Sequence, residues 1–184
     1  MTEGADRFYH NVLVLRCQAG DPAAFEELIA LHQPRLRYFL LQMVRDPCRL
    51  DDLLQDVWLD VFRSVPRLVD PGAFRAWLYQ VARHRASREL RRRGQAHGSL
   101  EGVDPPAPDE PEEEFSAADA ARVHAALARL APEHREVLLL RFIHEMSYEE
   151  VARVTGLQLG TVRSRIHYAK RALRRAIEGL DAHE

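Results

Sequence analysis

The sequence is poor in the residues that form disulfide frameworks and metal sites. Its 184 residues include only two cysteines, Cys17 and Cys48, which form no CxxC pair and have no paired histidines nearby. The nine histidines show no HExxH spacing. We therefore predict two buried or unused thiols in a reducing compartment, and neither a metal ion nor a cofactor.

Membrane-spanning and export signals are also missing. No apolar run approaches the roughly 20 residues that cross a bilayer, and the N-terminal stretch MTEGADRFYH lacks a basic segment followed by an apolar one. These absences predict a soluble cytoplasmic protein. Enzyme signatures are equally scarce, because the sequence has no nucleophile motif, no phosphate-binding glycine loop and no metal-ligand spacing. We therefore predict no enzyme activity and no catalytic residue.

What the sequence does contain is segregated charge. The formal net charge is only -2, but arginines cluster at residues 83–93 and 163–175. Acidic residues cluster at 101–119, where there is neither lysine nor arginine. Such asymmetry indicates nucleic acid or another charged partner better than the net charge does.

Almost every long segment has helical periodicity, and no alternating strand pattern competes with it. A clear example is RLDDLLQDVWLDVFRSV, in which apolar residues recur at i, i+3, i+4 and i+7. Further helices are predicted to begin at Asp21, with a kink near Pro34, and near Ala73. The predicted fold class is all-α.

Residues 94–116 interrupt the helical pattern. They are rich in proline, glycine and acid and poor in apolar side chains, so they cannot bury enough surface to offset their chain entropy. We predict two small helical domains, at 1–93 and 117–184, joined by this flexible acidic linker.

The second domain contains the layout of a helix-turn-helix. In SYEEVARVTG, Ser147 and Glu150 have the spacing of a capping box, and Gly156 suits the left-handed turn that ends a helix. A second helix is predicted to begin near Leu159 or Gly160, which completes the motif.

The second helix has one apolar side and one side suited to DNA. At 100° per residue the apolar stripe comprises Leu159, Val162, Ile166, Ala169 and Leu173. The opposite side and its flanks hold the candidate DNA-binding residues Thr161, Arg163, Ser164, Arg165, His167, Tyr168 and Arg171. The first turns of such a helix supply base contacts, so Arg163 and Ser164 are the candidates for base edges. An ordinary amphipathic helix with a solvated basic face remains the alternative.

Two surfaces stand out in the first domain. The helix around Trp58 presents an acidic face that suits a basic protein partner, or merely solvent; its candidate contacts are Asp51, Asp52, Gln55 and Asp56. The other surface is formed by the exposed arginines of 83–93 and the loop at 65–72, where cations can hold single-stranded DNA. Aromatic residues Phe74 and Trp77 just upstream are assigned mainly to the core.

Together these segments resemble a known family. The stretches DDLLQDVWLDVF and FRAWLYQVARHRA resemble the second conserved region of bacterial sigma factors. The stretch LAPEHREVLLLRFIHEMSYEEVARVTGLQLGTVRSRIHYAKRALRR resembles their fourth region. The acidic linker in place of a third domain is similar to the extracytoplasmic-function group.

The resemblance implies a dissociable subunit of RNA polymerase core enzyme that directs it to promoters. The acidic helix would bind the clamp of the largest catalytic subunit, and the fourth region would sit on the flap of the other large subunit. The helix-turn-helix residues would read the −35 element. The −10 element would be recognised and opened by Arg67, Arg83, His84 and Arg88. An anti-sigma factor is a further possible partner.

Two residues depart from the family pattern. His84 stands where relatives often have asparagine, and Tyr168 where they often have arginine, so promoter preference is open at both positions. The alternative is a stand-alone helix-turn-helix regulator that binds DNA as a dimer. That alternative explains the second domain equally well, but it leaves the acidic face and the first basic cluster without a role, and the sequence has no coiled-coil seam for dimerisation.

Overall fold

A computed structural model describes residues 3–94 and 120–181, and all regular structure in these two ranges is helical. The predicted all-α class is therefore confirmed for this part of the chain. Contacts divide the chain into two units, residues 1–96 and 97–184. The predicted acidic linker, apart from its first residue, Gly94, lies outside the described residues. Within those same ranges, no helix has both the length and the apolar character needed to cross a membrane.

The first unit contains the helices α1 (Glu3–Gln18), α2 (Pro22–Val44), α3 (Leu50–Ser64) and α4 (Phe74–Arg92). Short 3-10 turns connect them at Pro47–Arg49, Val65–Arg67 and Pro71–Ala73. α1 was not predicted from the sequence, although its buried residues Leu13, Val14 and Cys17 recur at helical spacing.

A locked corner joins α1 to α2. Gly20 has φ of +85°, a left-handed conformation that glycine adopts without steric cost. The Asp21 side chain then accepts hydrogen bonds from the Ala23 and Ala24 amides and caps α2 as predicted. From Asp21, α2 continues through Pro34 as one helix to Val44.

The core of the first unit lies among α2, α3 and α4. Apolar stripes from the three helices meet there, and Phe39 of α2 packs edge-on against Tyr79 of α4 with ring centroids 5.1 Å apart. Phe74 is completely buried, as predicted, whereas Trp77 is only half-buried. Burial of such aromatic surface supplies much of the stabilisation of a small helical unit.

The second unit contains α5 (Ala120–Arg129), α6 (Pro132–Leu138), α7 (Tyr148–Thr155) and α8 (Leu159–Asp181). A π-helical turn over Leu139–Ile143 extends α6. The predicted capping box is confirmed, since the Ser147 hydroxyl accepts from the Glu150 amide and the Glu150 carboxylate accepts from the Ser147 amide.

A buried arginine closes the end of α5. Arg135 is only 3% exposed, and its guanidinium donates to the carbonyls of Leu127 and Leu130, both at 2.9 Å. These carbonyls lie at the C-terminal end of α5, where a helix leaves acceptors without intrahelical donors. Arg135 therefore links α6 to α5 by charge-assisted hydrogen bonds, a role that helical periodicity does not predict.

Candidate functional site

The helix-turn-helix places α8 against the rest of the second unit through its apolar stripe. Gly156 has φ of +73° and ends α7 in the left-handed conformation predicted from the sequence. Val162, Ile166 and Leu173 of α8 are buried. α8 begins at Leu159, in agreement with the beginning predicted near Leu159 or Gly160.

Four of the predicted −35 residues are at least partly accessible. Arg163 and Arg171 are exposed, while Thr161 and Tyr168 are half-buried. No aspartate or glutamate occurs between Leu159 and Ile177, so this side of α8 carries only neutral and cationic groups. Such a surface suits phosphate oxygens and the acceptor atoms of guanine.

The other three predicted residues are covered in this structure. The exposed fractions of Ser164, Arg165 and His167 are 3%, 8% and 9%. The Ser164 hydroxyl donates to the Thr161 carbonyl at 3.1 Å, and the His167 ring packs edge-on against Tyr168. The expectation that all three are presented on an open face is therefore wrong for this conformation. A helical wheel counts angles around one helix and takes no account of what packs on that helix from elsewhere.

The predicted partner-binding face of α3 is accessible but not purely acidic. Asp51, Asp52, Gln55 and Asp56 are all exposed. Three of these have arginine partners: Arg37 pairs with Asp51, Arg49 approaches Asp52 at 3.9 Å, and Arg85 lies 3.3 Å from Asp56. This neutralisation was not predicted from the sequence, because Arg37 and Arg85 lie on other helices.

Arg85 also pairs with a further carboxylate of α3, that of Asp60. Its guanidinium donates two hydrogen bonds to the Asp60 carboxylate, 25 positions earlier in the chain. These bonds lower the pKa of Asp60 and raise that of Arg85. The guanidinium of Arg85 is therefore occupied by carboxylates of α3. Arg93, directly after α4, is likewise occupied by a carboxylate, because it pairs with Asp46 at 2.8 Å.

An apolar groove beside the acidic face was not predicted. Its volume is about 530 Å³, and α2 and α3 line it with Phe25, Ile29, Gln33, Asp51, Leu54, Gln55, Trp58, Leu59 and Phe62. Leu59 and Phe62 are 49% and 60% exposed. Exposed apolar surface rimmed by polar groups is typical of a protein-binding site. The signal in the sequence was that Leu59 and Phe62 are large apolar residues at the edge of the stripe.

The predicted −10 residues lie on α4 and, in the case of Arg67, on the turn that follows α3. Arg67, His84 and Arg88 are exposed, and Arg83 is half-buried. Because Arg85 and Arg93 bind carboxylates within the unit, the arginine cluster offers fewer cations to DNA than its sequence indicates.

The 65–72 loop is shaped by hydrogen bonds at both ends. At its beginning, the Gln18 side chain of α1 donates to the carbonyls of Val65 and Leu68 at 3.0 and 2.6 Å. At its end, the Asp70 carboxylate accepts from the Gly72 amide at 2.8 Å. Between them Val69 is 97% exposed. The loop itself was predicted from the sequence, but its contact with Gln18 was not.

Neither cysteine is among the residues named for the surfaces of α3, α4 and α8. Cys17 is buried in α1 and Cys48 is exposed in the Pro47–Arg49 turn, each as a free thiol. Within the described ranges, no three histidine, cysteine or carboxylate side chains lie close enough together to hold a metal ion.

Comparison with known families matches both units. The family model described as Sigma-70 region 2 matches residues 28–96, and the one described as Sigma-70, region 4 matches residues 120–173. The first match contains α3, α4 and the 65–72 loop. The second contains α7 and the first two thirds of α8.

Individual relatives match most of the chain. The RNA polymerase sigma factor CarQ of Myxococcus xanthus is 35% identical over 170 residues, which cover 90% of this chain and 96% of CarQ. The ECF RNA polymerase sigma factor SigL of Mycobacterium tuberculosis is 32% identical, over 88% of this chain and 93% of SigL. Among solved structures, CnrH in complex with the cytosolic domain of CnrY has a TM-score of 0.69 and 26% identity, over 92% of this chain and 97% of that one. The chain therefore belongs to the extracytoplasmic-function group of the sigma-70 family of RNA polymerase sigma factors.

Proposed function

We propose that this sigma factor divides promoter recognition between its two units. The first unit docks on the clamp of the largest catalytic subunit of core polymerase and opens the −10 element. The second unit sits on the flap of the other large subunit and reads the −35 element through α8. The protein itself performs no chemical step and works in the cytoplasm beside the polymerase.

The observation that carries the −35 assignment is the capped helix-turn-helix, whose second helix, α8, has no acidic residue before Glu178. Arg163 is exposed in the first half of α8, where recognition helices approach base edges. Arg171 lies two turns further on and suits a phosphate oxygen. We therefore assign Arg163 the base contact and Arg171 a positioning contact, with Thr161 and Tyr168 beside them.

Ser164, Arg165 and His167 contribute only in a conformation that uncovers them. Their burial in this structure is the reason to assign the discriminating contact to Arg163 rather than to Ser164. The proposal for these three residues therefore depends on a rearrangement around α8 when polymerase and promoter bind.

Two features of α3 support polymerase docking by the first unit. Its exposed carboxylates supply charge complementarity, although arginine partners reduce the net charge. The adjacent groove, lined by Leu59 and Phe62 among others, supplies apolar surface that a partner helix can bury. Arginines partly neutralise Asp51 and Asp56. We therefore expect apolar contacts in the groove to supply most of the affinity for core polymerase.

A protein that covers the docking face or the DNA-binding residues would prevent the sigma factor from directing transcription. CnrH, which is 26% identical to this chain, was solved in complex with the cytosolic domain of CnrY. We propose that an anti-sigma factor likewise binds this chain.

Run-off transcription with core polymerase on a promoter library tests the proposed function. We expect weak, unspecific duplex binding by the free protein, and specific initiation once core polymerase is added. Tight and specific footprinting by the free protein would contradict the proposal and favour the stand-alone regulator.

A charge reversal tests the docking face. Asp52 has only a long 3.9 Å contact with Arg49, so Asp52→Arg disturbs the internal ion pairs of the unit least. We expect it to lower affinity for core polymerase while leaving the thermal unfolding of the protein unchanged. Asp6→Arg, the same reversal at an exposed position of α1, is the matched control. Equal loss of affinity in both variants would mean that only the total charge matters.

A further inference from the structure

The 65–72 loop is attached to the first helix of the chain through one side chain. The Gln18 amide donates both of its hydrogens, one to the Val65 carbonyl at 3.0 Å and one to the Leu68 carbonyl at 2.6 Å. Nearly 50 positions of sequence separate these partners. The contact is therefore a tertiary one, made only when α1 is docked.

Gln18 itself is held in a rigid setting. It is the last residue of α1, directly before the corner at Gly20. Arg16 of the same helical turn donates through two nitrogens to Asp21, at 2.9 and 2.7 Å, and Asp21 in turn caps α2. These hydrogen bonds join the end of α1 to the beginning of α2, and they place the Gln18 backbone beside the 65–72 loop.

The two bonds set the shape of the loop where it leaves α3. Leu68 is bound through its carbonyl by Gln18, and its amide donates to the Val65 carbonyl at 3.0 Å. The next residue, Val69, is 97% exposed. An exposed apolar residue beside an immobilised carbonyl is well suited to meet an unstacked base, because its position is defined before DNA arrives.

We propose that Gln18 is a positioning residue for −10 recognition, acting through the 65–72 loop and without touching DNA. This inference rests on the proposed function, in which that loop faces the −10 element. It assigns to α1 a part in promoter selectivity that lies outside the residues 28–96 matched by the second-region family model.

The chemistry of the contact determines which substitution removes it. Both partners are carbonyl oxygens, which only accept, so the residue at position 18 has to donate two hydrogens. Gln18→Leu keeps a side chain of similar bulk but removes both donors. Gln42→Leu makes the same exchange at a half-buried position of α2 and serves as the matched control.

The experiment measures promoter ranking rather than activity alone. The full-length protein and core polymerase are assayed by run-off transcription on a library that varies the −10 element and, separately, the −35 element. We expect Gln18→Leu to reduce discrimination among −10 variants about ten-fold, the effect of losing hydrogen bonds of ordinary net strength. We expect its −35 ranking and its affinity for core polymerase to match those of the unsubstituted protein and of Gln42→Leu.

A DNA-free measurement accompanies the ranking. Hydrogen exchange of the loop amides, Leu68 above all, is expected to become faster in Gln18→Leu, while amides inside α2 keep their protection. A uniform increase across the first unit, or an equal fall in transcription on every promoter, would mean a general loss of stability and overturn the inference.

A loop variant separates this inference from the proposed function. Val69→Glu alters the loop tip directly and leaves Gln18 and its two acceptors in place. If Val69→Glu changes the −10 ranking and Gln18→Leu does not, the positioning role is overturned while the role of the loop stands. If neither variant changes the −10 ranking, both the loop assignment and the inference built on it are overturned.

Discussion

A pair of histidines in the first unit predicts a specific loss of stability in acid. The Nε2 atoms of His10 in α1 and His32 in α2 lie 2.7 Å apart, and both rings pack against Phe74 of α4. One imidazole donates and the other accepts, so the pair has room for one shared proton and not for a second. The charged groups acting on the pair are Arg75 and Arg35, both cations, which oppose protonation further.

The magnitude follows from the pKa of His32. Burial, with smaller contributions from His10 and the arginines, lowers this pKa from 6.5 to about 3. Burial likewise lowers the pKa of His10. The unfolded chain therefore takes up protons below pH 6.5 that the folded unit refuses, and stability falls as the pH drops from there towards 3. At pH 5, 1.5 units below the unfolded pKa, His32 alone costs about 2 kcal/mol relative to neutral pH.

Urea unfolding followed by tryptophan emission measures this cost in the first unit alone. Both tryptophans of the chain, Trp58 and Trp77, lie in α3 and α4. We compare the free energy of unfolding at pH 7.5 and pH 5 for the unsubstituted protein and for His32→Gln, which keeps a hydrogen-bonding partner for His10. The unsubstituted protein is expected to lose about 2 kcal/mol more than the variant over this range.

Both proteins contain the same carboxylates, so the contribution of carboxylate titration cancels when the two losses of unfolding free energy are compared. His84→Gln removes an exposed imidazole from α4 and controls for the loss of any histidine. The reasoning is refuted if His32→Gln has the same pH dependence as the unsubstituted protein, or if His84→Gln reduces that dependence equally.

Three further predictions concern the second unit. Arg163→Ala is expected to reduce discrimination among −35 sequences by about 1–3 kcal/mol, as for a bidentate guanine contact, when holoenzyme binding is measured on matched and mutated −35 sites. An unchanged preference would remove Arg163 from the reading residues. Ser147→Ala removes the capping hydroxyl of α7 and should cost about 1 kcal/mol of stability in chemical denaturation followed by circular dichroism. Arg135→Leu leaves the carbonyls of Leu127 and Leu130 without their buried donor and should lower the stability by about 2–3 kcal/mol in the same measurement. A smaller loss than that caused by Ser147→Ala would contradict the role of Arg135 in linking α6 to α5.

Local signals in the sequence predicted local structure well. The Ser147 capping box, the left-handed Gly156 and the apolar stripe of α8 depend on residues a few positions apart, and each is confirmed. The cap at Asp21 was predicted for the same reason. Short-range rules succeed here because the backbone geometry of a helix end involves only its neighbouring residues.

Interactions between distant residues were beyond these rules. The hydrogen bonds from Arg85 to Asp60, from Gln18 to Leu68 and between His10 and His32 each join segments that are distant in the sequence. The charge of the α3 face was overestimated for this reason, since its cationic partners come from elsewhere in the fold. Burial of Ser164 likewise depends on packing that the angle around α8 does not contain.

The length of α8 predicts which substitutions in this helix alter promoter choice and which impair folding. Its 23 residues extend about 34 Å, roughly three times the width of the major groove. Only its first turns can therefore enter a groove, while α8 as a whole packs against α5 and α6 and buries residues further along, such as Leu173. In the proposed function, one continuous helix thus reads DNA at its beginning and forms part of the core of the second unit further along. Random mutagenesis of α8 should accordingly yield altered promoter choice at one end and loss of soluble protein at the other.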